Sequence, residues 1–176
     1  MKIVKNLVPS NKYNIKCPYF MTPTRIVIHN TANDASAQNE IAYMIRNDDQ
    51  TSFHYAVDDQ EAVQGIPEDR NAWHASDGSN GKGNREGIAI EICYSKSGGE
   101  KFKKAEENAV QLTASILKRY GWGIDRVTKH QDYGNHKYCP HRTLEEGWDS
   151  FLNRVSIALG SSNSSDGVPS TDVLKN

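Results

Sequence analysis

The segment Glu86–Tyr94 constrains the fold more than any other stretch, because it alternates like a β-strand and is apolar on both faces. One face carries three isoleucines, and the other carries two small apolar residues and a glutamate: Ile88, Ile90 and Ile92 against Ala89, Cys93 and Glu91. A strand that is buried on both sides lies in the centre of a sheet. The segment therefore predicts a central strand that carries one out-of-place carboxylate.

The other periodic segments alternate between strands and helices. Strands are predicted at 24–29, 51–57, 61–66 and 124–130, the second and third as a hairpin, and helices at 37–47, 103–120 and 144–159. Ser36 is a candidate N-cap for the first helix, and Gly121 follows the second helix as a stop signal. This order predicts an α/β domain with a mixed central β-sheet flanked by helices.

Three segments lack this periodicity. Residues 1–23 contain three prolines and are predicted to form an irregular arm wrapped over the domain. Residues 67–85 are a long loop rich in glycine, serine and asparagine, and loops of this length are commonly functional or disordered. Residues 160–176 have the composition of a flexible linker, so we expect the folded domain to span residues 1–159.

Composition excludes several classes of protein. The net charge of −1, without long acidic or basic runs, gives no reason to expect a nucleic-acid or membrane partner. Three cysteines are too few for a disulfide framework. The N-terminus lacks the apolar core of a signal peptide, and no segment approaches the roughly 20 apolar residues of a membrane span. We therefore expect a monomer that is synthesised in the cytoplasm.

The stretch Thr128–His141 predicts a metal site, because it holds three of the six histidines and one of the three cysteines. His130 ends a predicted strand, Cys139 follows on the next loop, and His29 ends a separate strand. Imidazole and thiolate are the ligands that zinc prefers, and three protein ligands leave one position open for chemistry. The pattern indicates one catalytic zinc ion bound by His29, His130 and Cys139.

Alternatives to this ligand set remain at the sequence level. His136 and His141 compete with His130, which is favoured because rigid elements position ligands better than loops do. Without a metal, His29 would be an ordinary histidine at the end of a strand and Cys139 a small buried apolar residue. A blue-copper centre is disfavoured, because no methionine lies in this loop.

Two charged residues are candidates for catalysis. Glu91 is costly in an apolar strand unless it has a partner, which could be an arginine or lysine, or a zinc-activated water for which it acts as general base. Lys137 lies two residues before Cys139 and would share its direction in an extended segment. Its ammonium could then stabilise an oxyanion near the metal, whereas the simpler alternative is a solvated surface lysine.

Six motifs in order resemble those of the type 2 N-acetylmuramoyl-L-alanine amidases, a family that includes the peptidoglycan-recognition proteins. They are Ile-His-Asn-Thr-Ala at 28–32, Ser-Phe-His-Tyr at 52–55, Asn-Ala-Trp-His-Ala at 71–75, Ile-Glu-Ile-Cys at 90–93, Thr-Lys-His-Gln at 128–131 and Lys-Tyr-Cys-Pro-His at 137–141. The resemblance covers about residues 1–158 and is strongest to catalytic domains of phage and prophage endolysins of Gram-positive bacteria. It implies the family's mixed sheet flanked by helices.

The resemblance also implies roles for individual residues. Zinc would be bound by His29, His130 and Cys139, with Glu91 as the catalytic carboxylate and Lys137 as the transition-state stabiliser. The substrate would be bacterial peptidoglycan, cut between N-acetylmuramic acid and the L-alanine of the stem peptide. The enzyme would act on the cell wall after its release from the cell, and the segment after residue 159 would lead to a cell-wall-binding domain that the chain lacks.

Four further residues are predicted to bind substrate. Trp73 and His74 fall where the family lines its groove, and Asn30 and Phe53 are assigned to the same surface. Several family members have a catalytic tyrosine where this chain has Phe53, which cannot donate a hydrogen bond. Tyr55 would face the same way as Phe53, but we do not assign it as a substitute.

Two other functions are compatible with parts of the pattern. One is a peptidoglycan-binding module without hydrolysis, although non-catalytic relatives typically lack the cysteine that this chain has as Cys139. The other is a cysteine peptidase with Cys93 or Cys139 as nucleophile.

Overall fold

A six-stranded mixed sheet forms the centre of the computed structural model, which describes residues 1–163. Its strands are β1 (Lys2–Lys5), β2 (Arg25–Asn30), β3 (Tyr55–Val57), β4 (Glu61–Gln64), β5 (Gly87–Ile92) and β6 (Val127–Lys129). They follow the order β1-β4-β3-β5-β2-β6, in which β3 and β4 are antiparallel and the other neighbours are parallel. The predicted α/β architecture and the predicted hairpin are confirmed.

Six α-helices accompany the sheet within residues 1–163. They are α1 (Tyr13–Lys16), α2 (Ala37–Arg46), α3 (Lys82–Glu86), α4 (Gly99–Tyr120), α5 (His141–Glu146) and α6 (Trp148–Asn163). The Ser36 side chain accepts a hydrogen bond from the backbone N–H of Asn39 at 3.2 Å, and Gly121 ends α4 with a left-handed φ of 69°. The predicted N-cap of α2 and the predicted end of α4 are therefore both confirmed. None of the described helices combines the length and apolarity needed to cross a membrane.

The two faces of β5 pack against different helices, as its alternation predicts. Its isoleucines join a core with α4 and α6, which includes Phe102 and Phe151. Ala89 and Cys93 join a second core with α2, which includes Ile41. Glu91 lies on this second face and pairs in register with His29 of β2. The out-of-place carboxylate is thus brought beside the first predicted metal ligand.

The N-terminal arm packs along the domain as predicted, but it is less irregular than predicted. Its first residues form β1, which pairs parallel with β4 along the edge of the sheet. Edge strands that are mostly exposed need no apolar alternation, so Lys2–Lys5 carries no strand signal. Further along the arm, the fully buried Lys16 ammonium donates to Asn47 Oδ1 at 2.7 Å and also contacts the carbonyl oxygen of Asp49. This lysine ties the arm to segment 47–51, beyond the end of α2.

Other boundaries differ from the prediction because short helices have weak sequence signals. The long loop contains α3, and α5 follows directly after Pro140. α4 begins at Gly99 rather than at residue 103. α6 continues to Asn163, four residues into the predicted linker, and residues 164–176 of that segment lie outside the described residues.

A carboxylate network on the α4 side gives a testable pH dependence of stability. Glu68 accepts two hydrogen bonds from Arg119, at 2.6 and 2.9 Å, and others from Tyr55 at 2.9 Å and Tyr120 at 3.0 Å. Burial acts to raise the pKa of Glu68, but these donors outweigh it and hold the pKa below its ordinary value.

We therefore expect Glu68→Gln to lower the free energy of unfolding by about 1–3 kcal/mol at neutral pH. Because the folded-state pKa of Glu68 is depressed, its stabilisation is complete above the unfolded pKa and is lost as the pH falls through the folded pKa. Urea unfolding of both proteins at a series of pH values should show the difference shrinking on acidification. A difference that stays constant into acid would contradict this account.

Candidate metal and catalytic site

Three neighbouring parallel strands end at the same edge of the sheet, and their ends carry the predicted catalytic groups. β2 lies between β5 and β6. His29 lies near the end of β2, Glu91 near the end of β5, and His130 immediately follows β6. In open α/β sheets, ligands bind outside the carboxyl ends of the strands. The topology therefore explains how residues far apart in sequence meet.

The structure brings the three predicted metal ligands together. Each of His29, His130 and Cys139 is buried, and one ligand atom from each lies within 4.8 Å of the other two. His29 Nδ1 is 3.8 Å from Cys139 Sγ. Tetrahedral zinc, with bonds of about 2.0–2.1 Å to nitrogen and 2.3 Å to sulfur, would hold these atoms roughly 3.6 Å apart. The donor set suits zinc, and its spacing suggests a metal site.

The protonation of these groups also suits a cation. Burial, helped by nearby His74, His130 and Lys137, lowers the pKa of His29 well below its ordinary value, and burial lowers the pKa of His130 to about 4. Both imidazoles are therefore neutral, as metal binding requires. Burial and the charge of Glu91 raise the pKa of Cys139 to about 12. The thiol thus keeps its proton until a cation compensates the negative charge.

Glu91 lies beside the three ligands, and one of its two carboxylate oxygens has no hydrogen-bond partner among the described residues. Its Oε1 lies 3.9 Å from His29 Nδ1, whereas the oxygen without a partner is the buried Oε2. Burial and the charge of Glu40 raise the pKa of Glu91 to about 8, against the opposing effect of Lys137. None of the ion pairs among the described residues joins Glu91 to an arginine or lysine. An unpaired buried carboxylate is suited to exchange protons with a reactant.

Lys137 is exposed and lines the same groove as the three ligands. Its charge acts to lower the pKa of His29, His130, Glu91 and Cys139, so the ammonium lies within electrostatic range of all four. This is the placement that stabilisation of an oxyanion near the metal would need.

The site opens into a groove of about 640 Å³ that is lined mainly by polar residues. One wall comes from α2 and segment 47–51, and the other comes from the long loop that precedes β5. Residues that line the two walls include Glu40, Tyr43, Asn47, Asp49, Gln50 and Thr51 on the first and Trp73, Ser76, Ser79 and Asn84 on the second. Polar and apolar surface contribute about equally to the groove, so it can hold a ligand that offers both hydrogen-bonding groups and apolar faces.

Trp73 and Phe53, two of the predicted substrate-binding residues, both line the groove. The Trp73 ring is partly exposed and meets the edge of Tyr19 at 6.2 Å between centroids, while its indole Nε1 is buried without a hydrogen-bond partner in the described chain. Phe53 is 7% exposed and also packs into the core beside α2. Tyr55 does not face the same way as Phe53, because it packs on the α4 side and donates its hydroxyl to Glu68.

Asn30, the third of these residues, has its side-chain amide occupied by α5. Its Oδ1 accepts from the backbone N–H groups of Arg142 at 2.9 Å and Thr143 at 3.1 Å, and its Nδ2 donates to Thr143 Oγ1 at 3.1 Å. These bonds satisfy the free N–H groups at the start of a helix. Because α5 follows Cys139 and Pro140 directly, Asn30 fixes the segment that carries the thiol.

His74, the fourth of the predicted substrate-binding residues, is only 8% exposed, and its Nδ1 lies 3.0 Å from His29 Nε2.

Two other neighbours of the site are not predicted from the sequence. Ser76 has a positive φ of 57° and places its hydroxyl 3.2 Å from His130 Nε2. Glu40 of α2 reaches into the groove. Neither residue has a sequence signal, because each reaches the site only through the packing of α2 and the long loop.

Comparison with known proteins gives consistent matches. The family model described as N-acetylmuramoyl-L-alanine amidase matches residues 19–142. Two relatives from Bacillus subtilis (strain 168), the N-acetylmuramoyl-L-alanine amidases CwlA and XlyB, are 57% and 62% identical over 94% and 89% of this chain. The chain spans 62% and 50% of their respective lengths. The solved structure of PlyL is 53% identical, with a TM-score of 0.85 over 88% of this chain and 97% of that one.

Proposed function

Because this chain belongs to the N-acetylmuramoyl-L-alanine amidase family, we propose that it hydrolyses the amide bond between N-acetylmuramic acid and L-alanine in peptidoglycan, using one zinc ion. The observation that carries the proposal is the meeting of His29, His130 and Cys139 beside the unpaired carboxylate of Glu91 in an open groove. Relatives named for this activity support the choice of substrate. In the cell, the reaction would lyse the wall from which the substrate comes, as an endolysin does.

Different side chains of the site can perform the separate steps of amide hydrolysis. Zinc, when bound, supplies Lewis acidity that polarises a carbonyl group and lowers the pKa of water. Glu91 Oε2 accepts a proton from the attacking water and later delivers it to the nitrogen of the leaving L-alanine. The ammonium of Lys137 stabilises the negative charge that develops on the carbonyl oxygen. Phe53 cannot donate a hydrogen bond, so Glu91 and Lys137 must carry more of the proton transfer and of the charge stabilisation.

The groove binds the glycopeptide around this centre. Its polar walls offer hydrogen-bonding groups to the sugar and to the stem peptide, and the partly exposed Trp73 ring offers a flat surface to one face of either. A groove open at the surface suits a substrate that is part of a network, since the cut bond must enter while the rest of the wall stays outside.

A cysteine nucleophile is disfavoured by the surroundings of both candidate thiols. Burial raises the pKa of Cys93 well above its ordinary value, and burial raises the pKa of Cys139 to about 12. Nucleophilic cysteines need the opposite shift, since the thiolate is the reactive form.

Digestion of purified peptidoglycan tests the proposal. Zinc-loaded protein should release new amino groups that belong to L-alanine, and mass spectrometry should show intact stem peptides separated from the glycan. Treatment with a chelator should abolish the release, and added zinc should restore it, whereas chelator saturated with zinc beforehand serves as the control. Wall binding without new amino groups, or full activity in metal-free protein, would refute the proposal.

A further inference from the structure

His74 stands behind the metal cluster and contacts one of its ligands directly. Its Nδ1 lies 3.0 Å from His29 Nε2, and the two ring planes meet at 83°. From this contact we infer that His74 is a positioning residue, which fixes the orientation and the tautomer of His29 for zinc binding. The sequence motif predicts a contact with substrate for the same residue instead.

The position of one proton connects the two histidines. His29 directs Nδ1 towards Cys139 Sγ, at 3.8 Å, so Nδ1 must be free of hydrogen to bind an ion there. The hydrogen of neutral His29 then resides on Nε2, which faces His74. His74 Nδ1 must accept this hydrogen bond, and its own hydrogen resides on Nε2. One hydrogen bond therefore selects the tautomer in which His29 can serve as a ligand.

Metal-binding histidines commonly donate their second N–H to a carboxylate, a carbonyl oxygen or water, and such partners raise the metal affinity. Here the acceptor is a neutral imidazole, which holds the ring in place without adding a negative charge. The single negative ligand of the cluster thus remains the Cys139 thiolate. The positive charge of a bound zinc ion is then only half compensated, which favours its action as a Lewis acid.

The backbone around His74 is held firmly, as a positioning role requires. The N–H groups of His74 and Ala75 both donate to Asn84 Oδ1 at 2.8 Å. Ser52 accepts from the N–H of Trp73 at 2.8 Å, and its own N–H donates to the Trp73 carbonyl at 2.9 Å. Residues on both sides of the histidine are thereby anchored. A ligand support on a rigid element keeps its geometry better than one on a free loop.

The same surroundings argue against a primary contact with substrate. His74 is 8% exposed, and its Nδ1 is engaged with His29. Its Nε2 is buried, and the backbone of Gly83 and Gly87 interacts with this ring. His74 is among the residues that line the groove, but its Nε2 is buried and its Nδ1 contacts His29, whereas the adjacent Trp73 ring is partly exposed there.

Two variants of similar size separate the hydrogen bond from simple packing. His74→Asn can keep a carbonyl oxygen near the position of Nδ1, while His74→Leu removes the acceptor. Zinc affinity is measured by competition with a chromophoric chelator. We expect the leucine variant to bind zinc about 10–100-fold more weakly and the asparagine variant to stay close to the wild type. Equal affinities in all three proteins, or an equal loss in both variants, would overturn the inference.

A spectroscopic measurement on the unmodified protein covers the case in which a variant fails to fold. In the zinc-loaded wild type, ¹⁵N NMR should show His29 with a protonated Nε2 and a metal-bound Nδ1. A His29 that is protonated on Nδ1 or bound through Nε2 would refute the role of His74. If His74→Leu raises KM and leaves the zinc affinity unchanged, His74 is a substrate residue instead.

The inference rests on the zinc site of the proposed function, and the affinity measurement distinguishes their failures. Wild-type protein that binds no zinc would refute the proposed function. Wild-type protein that binds zinc with normal affinity, together with a leucine variant that does the same, would refute only the role of His74.

Discussion

Glu91→Gln is expected to give a folded protein that still binds zinc and whose turnover of peptidoglycan is roughly 10²–10⁴-fold lower. Glutamine has the shape of glutamate but cannot accept a proton at neutral pH. The buried Oε2, which has no partner among the described residues, is the atom whose basicity is lost. Because burial raises the pKa of Glu91 to about 8, its carboxyl group is largely neutral at neutral pH in the metal-free protein. Replacement by the neutral glutamine should therefore not destabilise the fold, so the effect should be confined to catalysis.

The measurement is the initial rate of amino-group release from purified wall, together with the zinc content of the protein. Glu86→Gln is a matched control, since Glu86 immediately precedes the other end of β5 and hydrogen-bonds Thr24. It makes the same change of charge far from the cluster and should leave the rate near that of the wild type. A Glu91→Gln protein that lyses walls at a near-normal rate would remove Glu91 from the mechanism.

Cys139→Ser should weaken zinc binding by more than the roughly 10–100-fold that the loss of an outer-shell partner costs. Serine replaces the only negative ligand with a neutral hydroxyl, so the ion would be left with two imidazoles. Ligand binding stabilises the folded state by about 2.7 kcal/mol at a ligand concentration of 100 times Kd. Added zinc should therefore raise the melting temperature of the wild type and should have little effect on the variant.

Cys93→Ser serves as the control for this substitution. Cys93 is buried in the core beside α2 and does not belong to the three-residue cluster. That variant should keep one zinc per chain even if the new hydroxyl lowers its stability. Unchanged zinc stoichiometry and affinity in Cys139→Ser would contradict the ligand set.

The central features of the fold are predictable because they rest on local patterns. The alternation in β5 fixes which side chains face each helical layer, and it singles out Glu91 as the one charged residue on an otherwise apolar face. Ser36 and Gly121 mark helix ends through the hydrogen bonds and the φ values that such ends require. His29 and His130 can be assigned as partners because parallel strands that end together bring their last residues together.

Features that escape prediction depend on contacts between distant segments. β1 has its partner in β4, about sixty residues later, and its exposed side chains leave no pattern in the sequence. His74 and Asn30 both line the groove, and their contact with substrate stays a prediction, but motif position carries no information about the hydrogen-bond partners of a side chain. The amide of Asn30, for example, binds the start of α5, more than a hundred residues further along the chain.

The buried Lys16 ammonium matters for anyone who transplants this domain into a chimeric lytic enzyme. The family match begins at residue 19, so a graft cut at that boundary would omit Lys16 while it retains the carbonyl oxygens that this lysine binds. Segment 47–51, which forms part of the groove wall, would then lose its anchor although every metal ligand is present. Such a graft would also lack β1 and the buried Val8 and Cys17, so we expect it to be less stable and to bind peptidoglycan poorly although it carries all three ligands.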